Sequence, residues 1–564
     1  MNRFPSLVLA AGIVLSAASA NAQTAGTLDP TFGDGGLVIS APVSTSSMDN
    51  AQCAAVRETG EIVFAGVSGS ASSFSMTVGQ LLPDGSLDTS FGTGGVSTFP
   101  SAGGSGFAYD LEVLADGKVL VCGAVSLTAA NTAFAVWRLL PDGTLDATFA
   151  DAGVLVVDLD ASEDYARDLW VDEAGQITAA GASKQPESTF YRSALIRCDA
   201  NGTLLPDFGT AGVQISPLVT TENHDIRGGT VAPDGSIYLV GYTSISWDTQ
   251  AVLIHFSSDG EVDPDFGTAG IATGDLGSRY FDVHVAGDRV LVVGDGDGGS
   301  TGILQAFDFT GAIDPTFGAG GTTAFNVGGA NVLLTLAEQP DGKLLVGGSA
   351  STGFLMRDFL VARLDSEGML DPDWGDAGIT VTVVGPGFED VNDLAIQPDG
   401  QIIAAGFAQI TNNDFVFARY LAGEMGAVSG CTDADACNFN PLATEEDGTC
   451  YSPGDPCDDG DDSTQNDTIN ADCDCVGEPV SVTEAAAEVF TAFPNPVQDE
   501  LNIQFNSNQG TWVVTLHGLN GQVVKREEVR GASCIWDVKQ LPAGAYLLTV
   551  EGTDFRANQQ VLIR

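Results

Sequence analysis

Between Leu28 and Glu424 the apolar residues fall in short Val- and Leu-rich runs broken by glycine-bearing turns. Alternation of apolar and polar positions within the runs is imperfect, which is the pattern of short strands covered on both faces. The clearest unit is a pair of runs around a turn, DLEVLADGKVLVCGA from Asp110 to Ala124. It returns as LAEQPDGKLLVGGSA from Leu336 and as LAIQPDGQIIAAGFA from Leu394. The Asp-Gly pairs, whose glycine reaches positive φ without steric cost, predict β-hairpins. A further run follows each hairpin, as in FAVWRLLPDG from Phe134 to Gly143, and a short β-rich run such as Gly95 to Phe99 comes before it.

One phrase paces these runs and occurs seven times. It reads LDPTFG from Leu28, LDTSFG from Leu87, LDATFA from Leu145, LLPDFG from Leu204, VDPDFG from Val262, IDPTFG from Ile313 and LDPDWG from Leu370. The spacings are 59, 58, 59, 58, 51 and 57 residues. Four strands per unit in seven units predict an all-β fold, a seven-bladed β-propeller, in which radial packing leaves only short, protected sheet edges. Stacking neighbouring blades buries faces that no blade could bury alone. A parallel β-helix is the competing architecture, but its repeat is normally much shorter. The phrase is expected to cross between blades, its Phe (Trp374 in the last copy) wedged into the inter-blade core as structural glue.

The phrase and its period resemble the delta-60 repeat, a family of secreted bacterial proteins. The resemblance covers Leu28 to about Glu424. It implies a β-propeller and no general activity. Ala150 stands where the pattern has Gly, Leu205 where it has Asp, and the short fifth period implies a trimmed fifth blade.

The chain has 564 residues, room for roughly three or four domains at ~150 residues each. Its 21 basic and 75 acidic residues give a net charge of −54. That excludes nucleic acid, whose binding rests on Lys and Arg neutralising phosphates, and an anionic membrane surface. Arg3, the apolar stretch Leu7 to Ala20 and Ala20-Asn21-Ala22 read as a secretory signal over residues 1–22. No later apolar run is long enough for a membrane span. The propeller is expected over 23–430, an acidic connector over 431–489 and a last domain over 490–564.

The connector carries sixteen Asp and Glu between Cys431 and Val489. It holds six of the ten cysteines, Cys431, Cys437, Cys450, Cys457, Cys473 and Cys475. An even number in an exported, loop-rich segment implies three disulfides with connectivity open, while Cys53, Cys122, Cys198 and Cys534 stay unpaired. Zinc is a poor rival, because Cys473-x-Cys475 lacks ribbon spacing and the segment has no His. Calcium is the cofactor the composition suggests, with Asp455, Asp458, Asp459, Asp461, Asp462 and Asp467 as oxygen donors, set against a plain solvated acidic linker. Gly430 to Cys450 resembles a short Cys-rich module of surface proteins in gliding Bacteroidetes-type bacteria, for which no activity is implied.

Residues 490–564 are charge-balanced, with six basic and seven acidic residues. Short strands with Gly turns, including a hairpin around Gly521, predict a small Ig-like β-sandwich. Pro494-Asn495-Pro496, the Gly521-Gln522-Val523-Val524 turn and strand, Leu541 to Tyr546 and the basic end resemble the C-terminal sorting domain of the type IX (Por) secretion system. The resemblance implies that the type IX machinery is a partner through residues 490–564. It also implies export through the periplasm, to release or to attachment at the outer surface.

No catalytic constellation is legible. There is no G-x-S-x-G, H-E-x-x-H or phosphate loop, and the only histidines are His224, His255, His284 and His517. Gly294 to Gly299, with Asp295 and Asp297, reads as a blade-five surface loop before it reads as a calcium turn. Arg138, Arg197, Arg363 and Arg419 recur in the last run before the turn, and Asp110, Asp168, Asp282 and Asp393 in the run before the hairpin. The expected arrangement is an Asp–Arg salt bridge inside a blade, such as Asp110–Arg138; the functional alternative is a ring of charge around a central channel. The sequence therefore describes a secreted or cell-surface binding or adhesion propeller for an extracellular glycan or protein. The alternatives are an extracellular propeller enzyme acting on carbohydrate or peptide and a calcium-rigidified structural surface protein.

Overall fold

The repeating runs fold into seven antiparallel four-stranded sheets, the blades of a closed β-propeller. The computed structural model describes residues 24–564 except 41–47, 71–72, 102–103, 129, 160–161, 173, 185–189, 217–223, 246–247, 354–355, 411, 424–428, 434–435, 440–442, 458–463, 472, 480–489, 507–510, 519–521 and 553–555. The signal at 1–22 lies outside these residues. Six blades run in sequence order from the axis outward, for example Gly106–Val113, Val119–Thr128, Asn131–Leu139 and Val154–Val157 in blade 2. The seventh is composite. Its three inner strands are Glu389–Ile396, Ile402–Gln409 and Asn413–Tyr420, and its outermost is Leu37–Ser40 from the other end of the chain. The innermost strands of blades 7 and 1 are neighbours, so the ring is closed.

The core lies between blades, as side chains of one sheet pack on the next. Phe64 of blade 1 meets Phe415 and Phe417 of blade 7 at 5.3 and 4.7 Å between ring centroids. The repeated phrase sits where blades meet, and its aromatic residue is fully buried: Phe32, Phe91, Phe149, Phe208, Phe266, Phe317 and Trp374. Each ring covers the turn glycine of the following blade; a Cβ on Gly143 would lie 2.6 Å from Phe91. The glycine that closes the phrase adopts φ between 51° and 55°. Ala150 keeps this left-handed turn at φ 41° despite its Cβ.

The Asp–Arg expectation is corrected by register. Arg138 donates to Asp146 of the phrase at 2.9 Å, not to Asp110. Its guanidinium lies 4.7 Å from the Phe149 ring centroid and also donates to the carbonyl of Ala200 in the next blade. Arg363 repeats this with Asp371 at 2.8 Å, Trp374 at 4.9 Å and the Ala422 carbonyl at 2.5 Å. Arg419 repeats it with Asp29 at 3.0 Å, 390 residues away, and with the Pro83 carbonyl, which latches the ring shut. Where Leu205 replaces the phrase Asp, Arg197 donates to Thr178 Oγ1 at 2.8 Å and to the Ser258 carbonyl at 2.7 Å. Blade 5 keeps four strands, the third of them, Thr301–Phe307, shorter than its counterparts. Its position 306 is Ala, and Arg289 from the neighbouring strand takes Asp314 at 2.7 Å instead.

A second compact unit contains residues 433–439 and 449–564. Within it Cys437 pairs with Cys473 and Cys457 with Cys475. Cys431 and Cys450 are also disulfide-bonded, and Cys53, Cys122, Cys198 and Cys534 are free, as expected. Phe490–Phe493, Glu500–Phe505 and Ser533–Asp537 form one sheet. Val523–Arg530, Thr511–Gly518, Gly544–Glu551 and Arg556–Ile563 form the other. Leu501, Ile503 and Phe505 of the first sheet and Trp512, Val514, Leu516, Leu548 and Val550 of the second alternate into the shared core of the sandwich.

Burial alone would raise the carboxyl of Asp29, but hydrogen bonds from Thr31 and the charge of Arg419 outweigh it and hold the group below its ordinary range. The latch is therefore complete above the unfolded carboxyl's range and is lost as pH falls through the folded value. Replacing Arg419 by Met alone leaves Asp29 buried without its cation and is expected to cost about 3–5 kcal/mol. Combining it with Asp29→Asn should cost clearly less than the sum of the single changes. A double-mutant cycle on urea unfolding reads this, and strict additivity would contradict the latch.

Candidate functional site

Every innermost strand carries a β-bulge at the same height. The register slips at Gln52, Tyr109, Arg167, Arg227, Phe281, Leu334 and Asn392 in blades 1 to 7. A bulge turns two successive side chains toward one side, here the axis of the ring. The seven bulged residues and the residues that follow them line a cavity of about 220 Å³ in the central channel.

Four of the residues that follow, Asp110, Asp168, Asp282 and Asp393, are acidic. Asp110 accepts the amide of Leu169 in the next blade at 3.0 Å. Asp168 accepts that of Gly229 at 2.9 Å, Asp282 that of Leu336 at 2.8 Å and Asp393 that of Ala54 at 2.7 Å. The four carboxyls thus tie blade to blade while facing the channel. The charge ring weighed from the sequence exists as geometry, without the arginines expected to partner it.

Burial pushes all four carboxyls up. Asp282 rises to about 6 and Asp393 to about 8. Asp110 and Asp168 are hydrogen-bonded to each other; Asp110 is raised, and Asp168, which also feels the charge of Asp110, is raised well above its ordinary value. On the same strand as Asp110, Glu112 is pushed up to about 7, chiefly by burial. Among the described residues no three channel carboxylates approach within the 4.8 Å expected around one metal ion.

The bulged residues themselves form the channel mouth. Arg167 lies over the rings of Tyr109 and Tyr165, 4.1 and 5.4 Å from their centroids. Arg227 donates to Asp225 and to the Tyr242 hydroxyl, each at 2.8 Å. Beyond Tyr165 the aromatic row continues to Tyr191 at 6.2 Å, where Glu163 accepts from both tyrosines and from Lys184. The sequence reading missed this mouth. Its only signal was the broken alternation in strands such as GFAYDLEV, where a bulge puts Tyr109 and Asp110 on one side.

The histidines lie outside the cavity lining. His255 pairs with Asp263 at 3.0 Å in the blade-4 latch position, and His284 with Glu338 at 2.9 Å. Asp295 is taken by Arg279. Of the calcium candidates, Asp455 accepts the Ser452 amide at 2.7 Å and Asp467 lies in the strand Thr464–Ile469. Asp458, Asp459, Asp461 and Asp462 lie outside the described residues.

Comparison with known families agrees with this architecture. Residues 58–91, 114–149, 232–266, 339–373 and 397–423 match the family "Domain of unknown function (DUF5122) beta-propeller". Residues 491–564 match the "Secretion system C-terminal sorting domain". No curated protein matches the chain. Among solved structures, Sqt1 from Chaetomium thermophilum is 11% identical, covering 68% of this chain and 100% of its own, with a TM-score of 0.35. A glucose dehydrogenase is 15% identical over 66% of this chain and 96% of its own, with a TM-score of 0.32. An ulvan lyase of a polysaccharide lyase family is 10% identical over 69% and 97%, with a TM-score of 0.37. Likeness at this level carries nothing about activity. Among the described residues no helix is long and apolar enough to cross a membrane.

The raised carboxyls set a pH dependence. A carboxyl raised on folding contributes stability that is fully present below the unfolded value near 4 and is lost as pH rises through the folded value. For Asp282 and Asp393 that window runs up to about 6 and about 8. The unfolding midpoint is expected to fall between pH 5 and pH 8, and Asp393→Asn should flatten the fall. A midpoint that rises over that range would contradict the assignment.

Proposed function

We propose that this chain, a type IX-secreted β-propeller of the cell surface or extracellular space, is a binding protein that takes a glycan at the channel mouth. The observation that carries this reading is the cavity at the seven bulges, where carboxyl, hydroxyl and amide groups converge on the axis beside Tyr109 and Phe281. A floor rich in hydrogen-bond acceptors suits a ligand rich in donors, and a sugar ring meets that need with hydroxyls on every side. An apolar peptide segment would make no use of the carboxyl, hydroxyl and amide groups that line the cavity. Screening the mature protein on a glycan array identifies the ligand. Asp282→Ala in the cavity should weaken binding about tenfold, whereas Asp376→Ala in an exposed phrase loop should not. Equal effects, or no glycan bound, would refute the reading.

The sorting domain gives export its own test. Deleting 490–564 should leave a folded propeller in the periplasm, and appending those residues to a passenger should carry it outward. Cell fractionation checks both; a truncated chain found at the surface would overturn the role.

A further inference from the structure

Cations are scarce in this protein, and almost all of those in the propeller are committed. Arg138, Arg363, Arg419 and Arg289 serve the latches. Lys184, Arg227, Arg279 and Arg357 pair with Glu163, Asp225, Asp295 and Asp390. Arg167 differs from all of these. Among the described residues it shows ring contacts but no carboxylate partner and no hydrogen bond, although it lines an acidic channel. Its Nε is buried without a partner. The two carboxyls of its own side of the ring are spent, since Asp110 and Asp168 bond to each other and to the amides of Leu169 and Gly229.

Tyr109 and Tyr165, whose ring planes stand at 78° to each other, pack against the guanidinium from two directions. Such packing restrains the group and leaves its N–H donors without an acceptor. A planar fork fixed in orientation and short of an acceptor is the geometry that takes a carboxylate through two parallel hydrogen bonds. The cavity beside it, about 220 Å³, is smaller than the usual ~300–1,000 Å³ of a drug-sized pocket and has room for about one sugar ring.

Resting on the glycan reading above, we infer that Arg167 makes the site selective for a carboxylate-bearing sugar, a uronate unit whose carboxylate meets the guanidinium fork while its hydroxyls face the acceptors of the channel floor. The overall negative charge of the protein does not forbid this. At physiological ionic strength charges beyond ~8 Å are largely screened, whereas an arginine in the cavity wall acts at contact.

The test is calorimetric titration of the full mature chain with matched pairs of probes: oligouronates, their carboxyl-reduced counterparts and sulfated neutral oligosaccharides. The wild type should bind oligouronates at least ~10-fold more tightly than the reduced forms, as expected of a charge-assisted hydrogen bond. Arg167→Ala should erase that preference and leave the affinity for reduced forms, with an unchanged unfolding midpoint showing that the variant folds. Arg167→Lys, which keeps the charge without the fork, should restore only part of it. If reduced and acidic forms bind alike, or Arg167→Ala keeps the preference, uronate selectivity is wrong while glycan binding stands. If only sulfated sugars bind, the carboxylate assignment is wrong. If no sugar binds, the glycan reading falls as well.

Discussion

A guanidinium that grips its own blade and the next is the interaction on which this ring depends. In the full form, as at Arg138, one side chain neutralises the phrase aspartate, covers the phrase aromatic and donates to a turn carbonyl of the following blade. Each partner alone would be poorly placed. A buried aspartate needs a cation, a buried guanidinium needs acceptors, and an aromatic ring facing a bare glycine turn needs a lid. Repetition turns the triad into a spacing rule, because the phrase must return each time the chain has completed one blade. Ring closure follows from the same rule. The first phrase has no blade of its own before it, and Asp29 and Leu37–Ser40 complete the seventh.

The latch and the bulge divide labour within each blade. The phrase end is nearly the same in every unit, and where one component changes another replaces it, as Arg289 does for Ala306. The bulge end varies, with six residue types in seven blades: Gln, Tyr, Arg, Arg, Phe, Leu and Asn. Repetition at one end meets a structural demand that every blade shares. Variety at the other end meets none, since a bulge fixes the direction of a side chain without fixing its identity. The position where the repeats disagree is therefore where recognition can be built without weakening the ring.

The sequence disclosed the parts of this fold that repeat. Hairpins, period and blade number were legible because Asp-Gly turns and the phrase recur with little change, and the sandwich because its short strands are set off by Gly turns. What escaped was long-range register. Asp110 and Arg138 recur together in the chain, and spacing alone cannot distinguish partners from neighbours. The bulge at Tyr109 turns Asp110 to the axis, while Arg138, two strands farther out, meets Asp146. A bulge leaves only a skipped beat in the apolar pattern, too slight to separate from the imperfect alternation of strands buried on both faces. The borrowed outer strand of blade 7 escaped for a similar reason, since a four-residue run such as LVIS carries no mark of which sheet it joins.

Charge ties the channel to the whole molecule. With 75 acidic and 21 basic residues, most carboxylates must remain in water, and each buried one needs a cation, a set of amides or a proton. The latch aspartates have cations and the channel aspartates have amides. The pair at Asp110 and Asp168 has a hydrogen bond between carboxyls, which asks for a proton where no cation is supplied. In a molecule so short of positive charge, an arginine would be drawn to that pair if its geometry allowed. Arg167 instead packs against Tyr109 and Tyr165, and the two carboxyls beside it are already bonded to each other and to amides. A guanidinium left without an acceptor costs stability, so its position reflects a demand that folding alone does not make.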